Sequence, residues 1–386
     1  MKLHPMSAEL NHDEFASLQF FLAVRKSVFG AMYQNVATAY EKRVLPKFEA
    51  KAGRKPVDGP ELRHALEDDE YYKFWSFLRL ESQDLLWQYA GSAIERQYGT
   101  MHARYAAAQT APQGSLTLDA TCDIPKYISH IDTHRMPGSF AGEVEPDDLR
   151  AGALYDLGGA VYQMAIGSRN GMFLNDGRGH TLAAYIMTFY PDFKPSRILD
   201  MGSGVGQNTL PLCDYFPESE IVAIDVGAPM LRYGHARAEM MGKRVHFVQD
   251  NAEHTRFPDG SFDLVVSGIV LHETSAKAVS NIIAESYRLL APGGVMVHCE
   301  NPIRYKDMDL FTQVLSSWEQ YHNFEPFLVG VGETDFTAIA VRAGFADVKE
   351  EYVKVVADAR RQQAEAASAP KGFGSCWYMI AGRKPG

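Results

Sequence analysis

One stretch constrains the fold of this chain more than any other: Ile198-Leu199-Asp200-Met201-Gly202-Ser203-Gly204-Val205-Gly206. A short apolar strand carries an acidic residue, runs into three alternating glycines, and opens into a helical pattern near Gln207. Glycines at such a junction let the backbone turn sharply and approach a ligand, and the helix start offers free N–H groups. The dinucleotide fingerprint G-x-G-x-x-G lacks its third glycine here, because Gln207 stands in that place. That disfavours an NAD-dependent oxidoreductase. Asp200, just before the loop, calls for a ligand with a positive group rather than a pyrophosphate. A second strand ends at Asp225, 25 residues further on, where a carboxylate can accept from both hydroxyls of a ribose. The ligand these residues describe is a nucleoside without phosphates, bearing an amino-acid or cationic arm.

From about Thr181 onward, short apolar runs alternate with helical segments. Arg197–Met201, Glu220–Asp225, Val245–Gln249, Phe262–Ser267 and Gly294–Glu300 read as buried strands. A helix over Asp335–Ala343 precedes two further strands, Val348–Val355 and Cys376–Ala381. Alternation of this kind builds βαβ units on a parallel sheet, so the class is α/β.

The first part of the chain has a different texture. Leu18, Leu22, Phe29, Tyr33, Val36 and Tyr40 form one helical stripe, which Pro46 is expected to close. Tyr71–Tyr98 is again helical in period and crowded with Tyr72, Phe74, Trp75, Phe77 and Trp87. Such a stripe serves as helix-packing core or as the wall of an apolar pocket. Pro112, Pro125, Pro137 and Pro146 mark a long connector between Ala111 and Gly158. The expected division is a helical domain over 1–170 (a substrate lid, a dimerisation unit, or both) and a ligand-binding domain over 171–386 with an insertion at about 303–333. Arg360–Ala369 reads as an exposed, Ala-rich helix end or loop.

Composition narrows the class. With 46% hydrophobic and 22% charged residues over 386 positions, the chain is an ordinary globular one and wholesale disorder is excluded. The net charge of −10 argues against a nucleic-acid partner, whose affinity rests on basic side chains. Cys122, Cys213, Cys299 and Cys376 form no C-x-x-C pair, so neither a disulfide scaffold nor a zinc ribbon fits. The apolar stretch Phe15–Met32 is interrupted by Arg25 and Lys26, unlike a signal peptide or membrane span. A cytoplasmic enzyme with no membrane partner is the expectation.

Four segments, ILDMGSGVG (198–206), AIDVGAPML (223–231), QDNAEHTRFPDGSFDLVV (249–266) and RLLAPGGVMV (288–297), stand in order and register. Over roughly 180–300 the chain resembles the class I S-adenosylmethionine-dependent methyltransferases, in the ubiquinone-biosynthesis-like small-molecule branch. The resemblance implies a seven-stranded, doubly wound, Rossmann-like sheet with its last strand inserted antiparallel, and S-adenosylmethionine as cofactor. It implies that Gly202, Gly204 and Gly206 pass under the methionine moiety and that Asp200 supports the loop and the ammonium group. Asp225 would take the ribose and Met230 would pack on the adenine. Asn251, in Asn251-Ala252-Glu253, replaces the Asp that usually contacts the adenine amino group, so Asp250, Asn251 and Ala252 share that end of the site. Ser267, at the end of the fourth strand, completes the cofactor-binding set.

The acceptor is expected beyond the carboxyl ends of the fourth and fifth strands. Methyl transfer is an in-line displacement that needs alignment and exclusion of water, plus a base where the acceptor carries a proton. His272 is the first choice of base, neutral and titratable near pH 7, with Glu273 or Glu300 to orient it; the alternative is that these groups hydrogen-bond within the fold. His130 and His134 show no third metal ligand in sequence, and no Asp cluster follows the fourth strand, so no metal is expected. His134 and Arg135 remain candidates to reach the substrate. The Asn/Asp-Pro-Pro-Tyr and Pro-Cys signatures of nucleic-acid methylation are absent. The expected substrate is a small apolar or aromatic molecule roofed by the N-terminal helices and the insertion; the same helices alternatively form a homodimer interface. The competing readings are a non-methyl reaction on this fold and a non-catalytic cofactor-binding partner protein.

Overall fold

Side chains alternate across each central strand, and both sets are buried. Ile198, Ala223, Leu264 and Val297 enter one apolar cluster with Leu182 and Ile186 of the helix Gly177–Phe189. Leu199, Val222, Val265 and Met296 enter the cluster on the other face, with Val279 and Ile283 of the helix Ala276–Leu289 and Phe336 and Ala340 of the helix Phe336–Ala343. Strands covered on both faces read as continuous apolar runs, which is why they were legible. The computed structural model describes residues 3–165, 175–356, 363–368 and 376–386.

The strands are β1 (Ser115–Thr117), β2 (Arg197–Met201), β3 (Glu220–Asp225), β4 (His246–Gln249), β5 (Phe262–Gly268), β6 (Leu290–Glu300), β7 (Ala346–Lys354) and β8 (Cys376–Arg383). They form one sheet in the order β1-β4-β3-β2-β5-β6-β8-β7, with β8 antiparallel to both its neighbours. The antiparallel insertion of the last strand is as expected, but the sheet has eight strands rather than seven. The extra one comes from the stretch read as connector: Ser115–Thr117 pairs in parallel with His246–Val248. Three residues are too few to carry a period-2 signal, and backbone pairing rather than side-chain pattern places them. The strand order reverses at β2, between β3 and β5, and opens a crevice at the carboxyl ends there.

The N-terminal helix does not stop at Pro46. Helical turns continue from His12 to Ala52, interrupted by wide π turns at Val28–Met32 and Tyr40–Val44. Pro46 falls in the first turn of the segment that restarts after the second of these, where its missing N–H costs little. Gly53, at φ +70°, ends the run. The 39-residue helix Glu70–Ala108 packs with Arg150–Ala165 and with Ala228–Met240 of the sheet-bearing part. Close approach requires glycine twice: a Cβ at Gly152 would lie 2.5 Å from Tyr233 Cβ, and one at Gly158 would lie 2.3 Å from the Trp87 ring. Trp75 and Leu62 pack in turn against Val314, Leu315 and Trp318 of the chain after β6. Helical region and insertion thus stand together over the strand ends. Phe74 and Phe77 of the aromatic stripe remain exposed, while Tyr72, Trp75 and Trp87 are buried.

The proposed division at residue 170 lies outside the described residues, as do 360–362 and 369; within 363–368 the chain is loop, with Ala364 buried and Ala366 bridged to Val353. Among the described residues, no helix is long and apolar enough to cross a membrane.

Candidate active site

Two cavities meet at the reversal point, sharing Tyr155, Arg178 and Ile269 in their walls. The first is bounded by Gly202–Gly204 after β2, Asp225 at the end of β3, Met230, and Asp250–Glu253 after β4. Gly202, Gly204 and Gly206 adopt φ of +66°, +54° and +78°, the left-handed region that excludes most other residues. A Cβ on Gly202 would also meet Val270 Cγ2 at 2.6 Å. Asp225 anchors this loop: its Oδ2 accepts from Gly204 N–H at 2.9 Å and its Oδ1 from Gly227 N–H at 2.8 Å. Burial raises its pKa, and the backbone N–H groups oppose that rise.

Asp200 lies behind the loop and is fully buried. Thr209 Oγ1–H donates to its Oδ2 at 2.6 Å, while Oδ1 has no partner. Burial pushes its pKa up to about 7. Like Gly206, Asp200 lines neither cavity, and the charge of Arg178 partly offsets its burial. Asp250 accepts from Asn251 and Arg256 N–H, and Asn251 holds Asp123 O and Glu253 N–H. Both border the cavity beside Ala252. Gly206 does not; its role is in the turn. Ser267 is a correction. It is fully buried, with Oγ 2.7 Å from His298 Nδ1, and lies within the sheet rather than in either cavity wall. The period-2 alternation turns it away from the crevice edge. Its partner His298 is a core histidine, which burial pushes down to about pKa 4.

The second cavity is larger in aromatic content. Leu86 and Trp87 of the long helix, Gly158 and Tyr162 of Arg150–Ala165, Ile303 and Leu328 of the insertion, and Trp377 of β8 line it. His272 reaches it from the loop after β5, with Nδ1 2.7 Å from Glu300 Oε2 and Nε2 3.3 Å from Glu273 Oε1. Glu300 also accepts from Val270 and Leu271 N–H, at 2.9 and 2.7 Å, so one carboxylate fixes the loop and the ring together. Burial disfavours a charged His272, but Glu300 and then Glu273 outweigh it and push the pKa up to about 10. Two carboxylates on one buried ring favour its charged form, against the neutral imidazole that a base requires.

Glu273 is the centre of a longer chain. His134 Nε2 is 2.9 Å from Glu273 Oε1, and His134 Nδ1 is 3.0 Å from Glu325 Oε1. Burial opposes charge on His134, yet Glu325 and Glu273 hold its pKa well above the ordinary value. Burial likewise opposes charge on Glu273, and His134 and His272 hold it low. His134, Glu273 and Glu325 present ligand atoms within 4.8 Å of one another. The two glutamates address opposite nitrogens of one ring, which suits an imidazolium bridge better than a shared metal ion. His130, by contrast, is exposed and bonds Ser129, and Arg135 pairs outward with Asp84.

Backbone strain gathers here. His134, Asn175 and Ile269 have φ of +57°, +52° and +54°, and all three line the second cavity. For a β-branched residue such as Ile269 this costs on the order of 1–3 kcal/mol and persists only where surroundings impose it. Tyr155, Arg178, Asn323 and Glu325 were missed in sequence. Each sits in an unremarkable local pattern, and only the fold brings them to the strand ends.

Residues 198–294 match the family model described as a methyltransferase domain. A demethylmenaquinone methyltransferase from Thermus thermophilus is 38% identical over 108 residues, 28% of this chain and 48% of that protein. A malonyl-[acyl-carrier protein] O-methyltransferase from Geobacter sulfurreducens is 34% identical over 109 residues, 28% of this chain and 40% of that protein. The solved Haemonchus contortus phosphoethanolamine N-methyltransferase 2, in complex with S-adenosyl-L-methionine, aligns at 16% identity over 50% of this chain and 49% of its own, with a TM-score of 0.38. The chain spans about half or less of the length of these curated relatives.

Proposed function

From the match of residues 198–294 to the methyltransferase-domain model, we propose an enzyme that transfers a methyl group from S-adenosylmethionine to a small apolar or aromatic molecule, releasing S-adenosylhomocysteine. The observation that carries this reading is the pair of cavities joined at Tyr155, Arg178 and Ile269. One suits a nucleoside with a cationic arm; the other is walled by aromatic and aliphatic side chains.

The residues present fit that cofactor. Asp225 keeps lone pairs free for ribose hydroxyls, Met230 borders the same cavity, and Gly202 and Gly204 bring the loop backbone to its wall. When bound, the cofactor supplies an electrophilic methyl group on a good leaving group. The chain's own contribution is to align the acceptor and exclude water. Helices over 12–165 and the insertion at about 303–333 act as the acceptor's lid, with Trp87 and Leu328 as its apolar contacts.

His272, paired with Glu300 and Glu273, is held as a positioning group at the mouth of the second cavity. Both nitrogens of its ring and of the His134 ring are held by carboxylates, so the two histidines fix the wall of the second cavity, whose aromatic and aliphatic lining favours acceptors such as phenols and hydroquinones. The test is acceptor-dependent release of S-adenosylhomocysteine from a panel of phenols, hydroquinones and enolisable ketones. Release with an aromatic acceptor, and a raised KM for it in Trp87→Ala, supports the proposal. Cofactor binding without release on any acceptor in the panel would sink it.

A further inference from the structure

Polar groups in the wall of the second cavity mostly answer one another. His134 and His272 meet carboxylates at both ring nitrogens, Glu319 pairs with Arg79, and Gln83 and Trp87 donate to the carbonyl of His134. Among the described residues, two buried polar atoms of that wall have no partner, Asn323 Oδ1 and Trp377 Nε1. One is an acceptor and the other a donor. Asn323 belongs to the insertion and Trp377 to β8, and both lie outside the residues 198–294 that match the methyltransferase-domain model.

The direction of the Asn323 amide follows from its neighbour. The residue is 4% exposed, and its Nδ2 donates to Glu325 Oε1 at 3.0 Å. His134 Nδ1 meets the same carboxylate oxygen at 3.0 Å. Turning the amide over would set Oδ1 against that oxygen with no hydrogen between them. Glu325 therefore fixes the amide, and Oδ1 is the open end of the chain Glu273–His134–Glu325–Asn323. A buried amide oxygen without a donor is costly, and native proteins seldom leave one. Trp377 is its counterpart. An indole N–H can only donate, and the guanidinium of Arg178, 5.7 Å from the ring centroid, carries donors as well.

We propose that Asn323 and Trp377 determine which acceptor the second cavity takes: an apolar body that brings an O–H or N–H to Asn323 Oδ1 and a carbonyl or ether oxygen to Trp377 Nε1. The proposal rests on reading the second cavity as the acceptor's. Apolar walls such as Trp87 and Leu328 supply contact area without direction. The two polar atoms, carried by different elements, fix how the acceptor lies. A plain hydrocarbon is rejected because it would leave both atoms buried and unmet.

The test is calorimetry on the full chain saturated with S-adenosylhomocysteine, using 4-hydroxyacetophenone, acetophenone and 4-ethylphenol as probes. The second probe lacks the hydroxyl donor and the third lacks the carbonyl acceptor. Wild type is expected to bind 4-hydroxyacetophenone about 10- to 100-fold more tightly than either of the others. Asn323→Leu should bring 4-hydroxyacetophenone down to the level of acetophenone while leaving acetophenone and S-adenosylhomocysteine unchanged. Trp377→Phe should remove the preference over 4-ethylphenol and keep the preference over acetophenone. A merely structural role for Asn323 would weaken all three probes alike in Asn323→Leu, and that result overturns the proposal. Should Asn323→Leu not fold, the wild-type ratios and Trp377→Phe decide. Equal binding of the three probes by wild type overturns the assignment of Asn323 and Trp377 while leaving the second cavity as the acceptor's. Wild type that binds S-adenosylhomocysteine and none of the probes removes the acceptor reading and this proposal together.

Discussion

His134 Nε2 and Glu273 Oε1 lie 2.9 Å apart, although 139 residues separate them in the chain. One comes from the connector of the helical region, the other from the loop after β5, and Glu325 of the insertion closes on the far side of the same ring. The carbonyl of His134 is held as well, by Trp87 Nε1–H at 2.8 Å and Gln83 Nε2–H at 3.0 Å. A single residue thus joins the helical region, the insertion and the strand-end loop beside the two cavities.

His272 is expected to stay charged across the neutral range. Its folded pKa, about 10, stands above the ordinary value near 6.5. The stability it contributes is therefore fully present below about pH 6.5 and is lost as pH rises through about 10. NMR titration of the ring should show the charged form from pH 6 to 8, and Glu300→Gln should lower the midpoint. A wild-type midpoint near 6.5 would restore the neutral base.

His298 should behave in the opposite way. Burial holds it neutral with a folded pKa of about 4, so its contribution is present above about pH 6.5 and is lost as pH falls towards 4. Its ring should show no protonation between pH 5 and 8; a midpoint in that range would contradict the assignment to the core.

Gly202→Ala should both destabilise and disable. The new Cβ would press on Val270 Cγ2 at 2.6 Å, and φ of +66° is strained for alanine. Overpacking and strain together cost about 1–3 kcal/mol. Thermal unfolding should show that loss, and calorimetry a loss of S-adenosylhomocysteine binding. An unchanged affinity would mean that the loop is not the cofactor's seat.

Gly158→Ala should separate the two cavities. Its Cβ would stand 2.3 Å from Trp87 Cζ3 and force that ring into the second cavity. Acceptor KM should rise by about tenfold or more, in line with a shift of an apolar contact worth about 1–3 kcal/mol. Affinity for S-adenosylhomocysteine should not change. A parallel loss of both would show that the cavities are not separate subsites.

What the sequence disclosed and what it withheld divide along physical lines. Arg197–Met201 and Glu220–Asp225 match the expected strands residue for residue, because both faces are buried and the apolar run is unbroken. The glycine loop was legible because left-handed φ at three positions demands glycine. Ser115–Thr117 was hidden, since an edge strand of three residues is placed by backbone pairing. The pairing of His272 with Glu300 was legible, but not that both Glu300 and Glu273 would bear on one buried ring and favour its charged form. Asn323 lies in a stretch that reads as ordinary, and its partnerless Oδ1 becomes visible only when its neighbours are known.

The central claim is that the cavity at Asp225 holds S-adenosylmethionine. The most direct test is calorimetric titration of wild type and Asp225→Ala with S-adenosylmethionine, S-adenosylhomocysteine and NAD in parallel. The account predicts micromolar binding of the first two, weakened at least tenfold in the variant as charge-assisted bonds to the ribose are lost, and no binding of NAD. Wild-type protein that binds neither sulfur compound, or an Asp225→Ala variant that binds them as tightly as wild type, would contradict it.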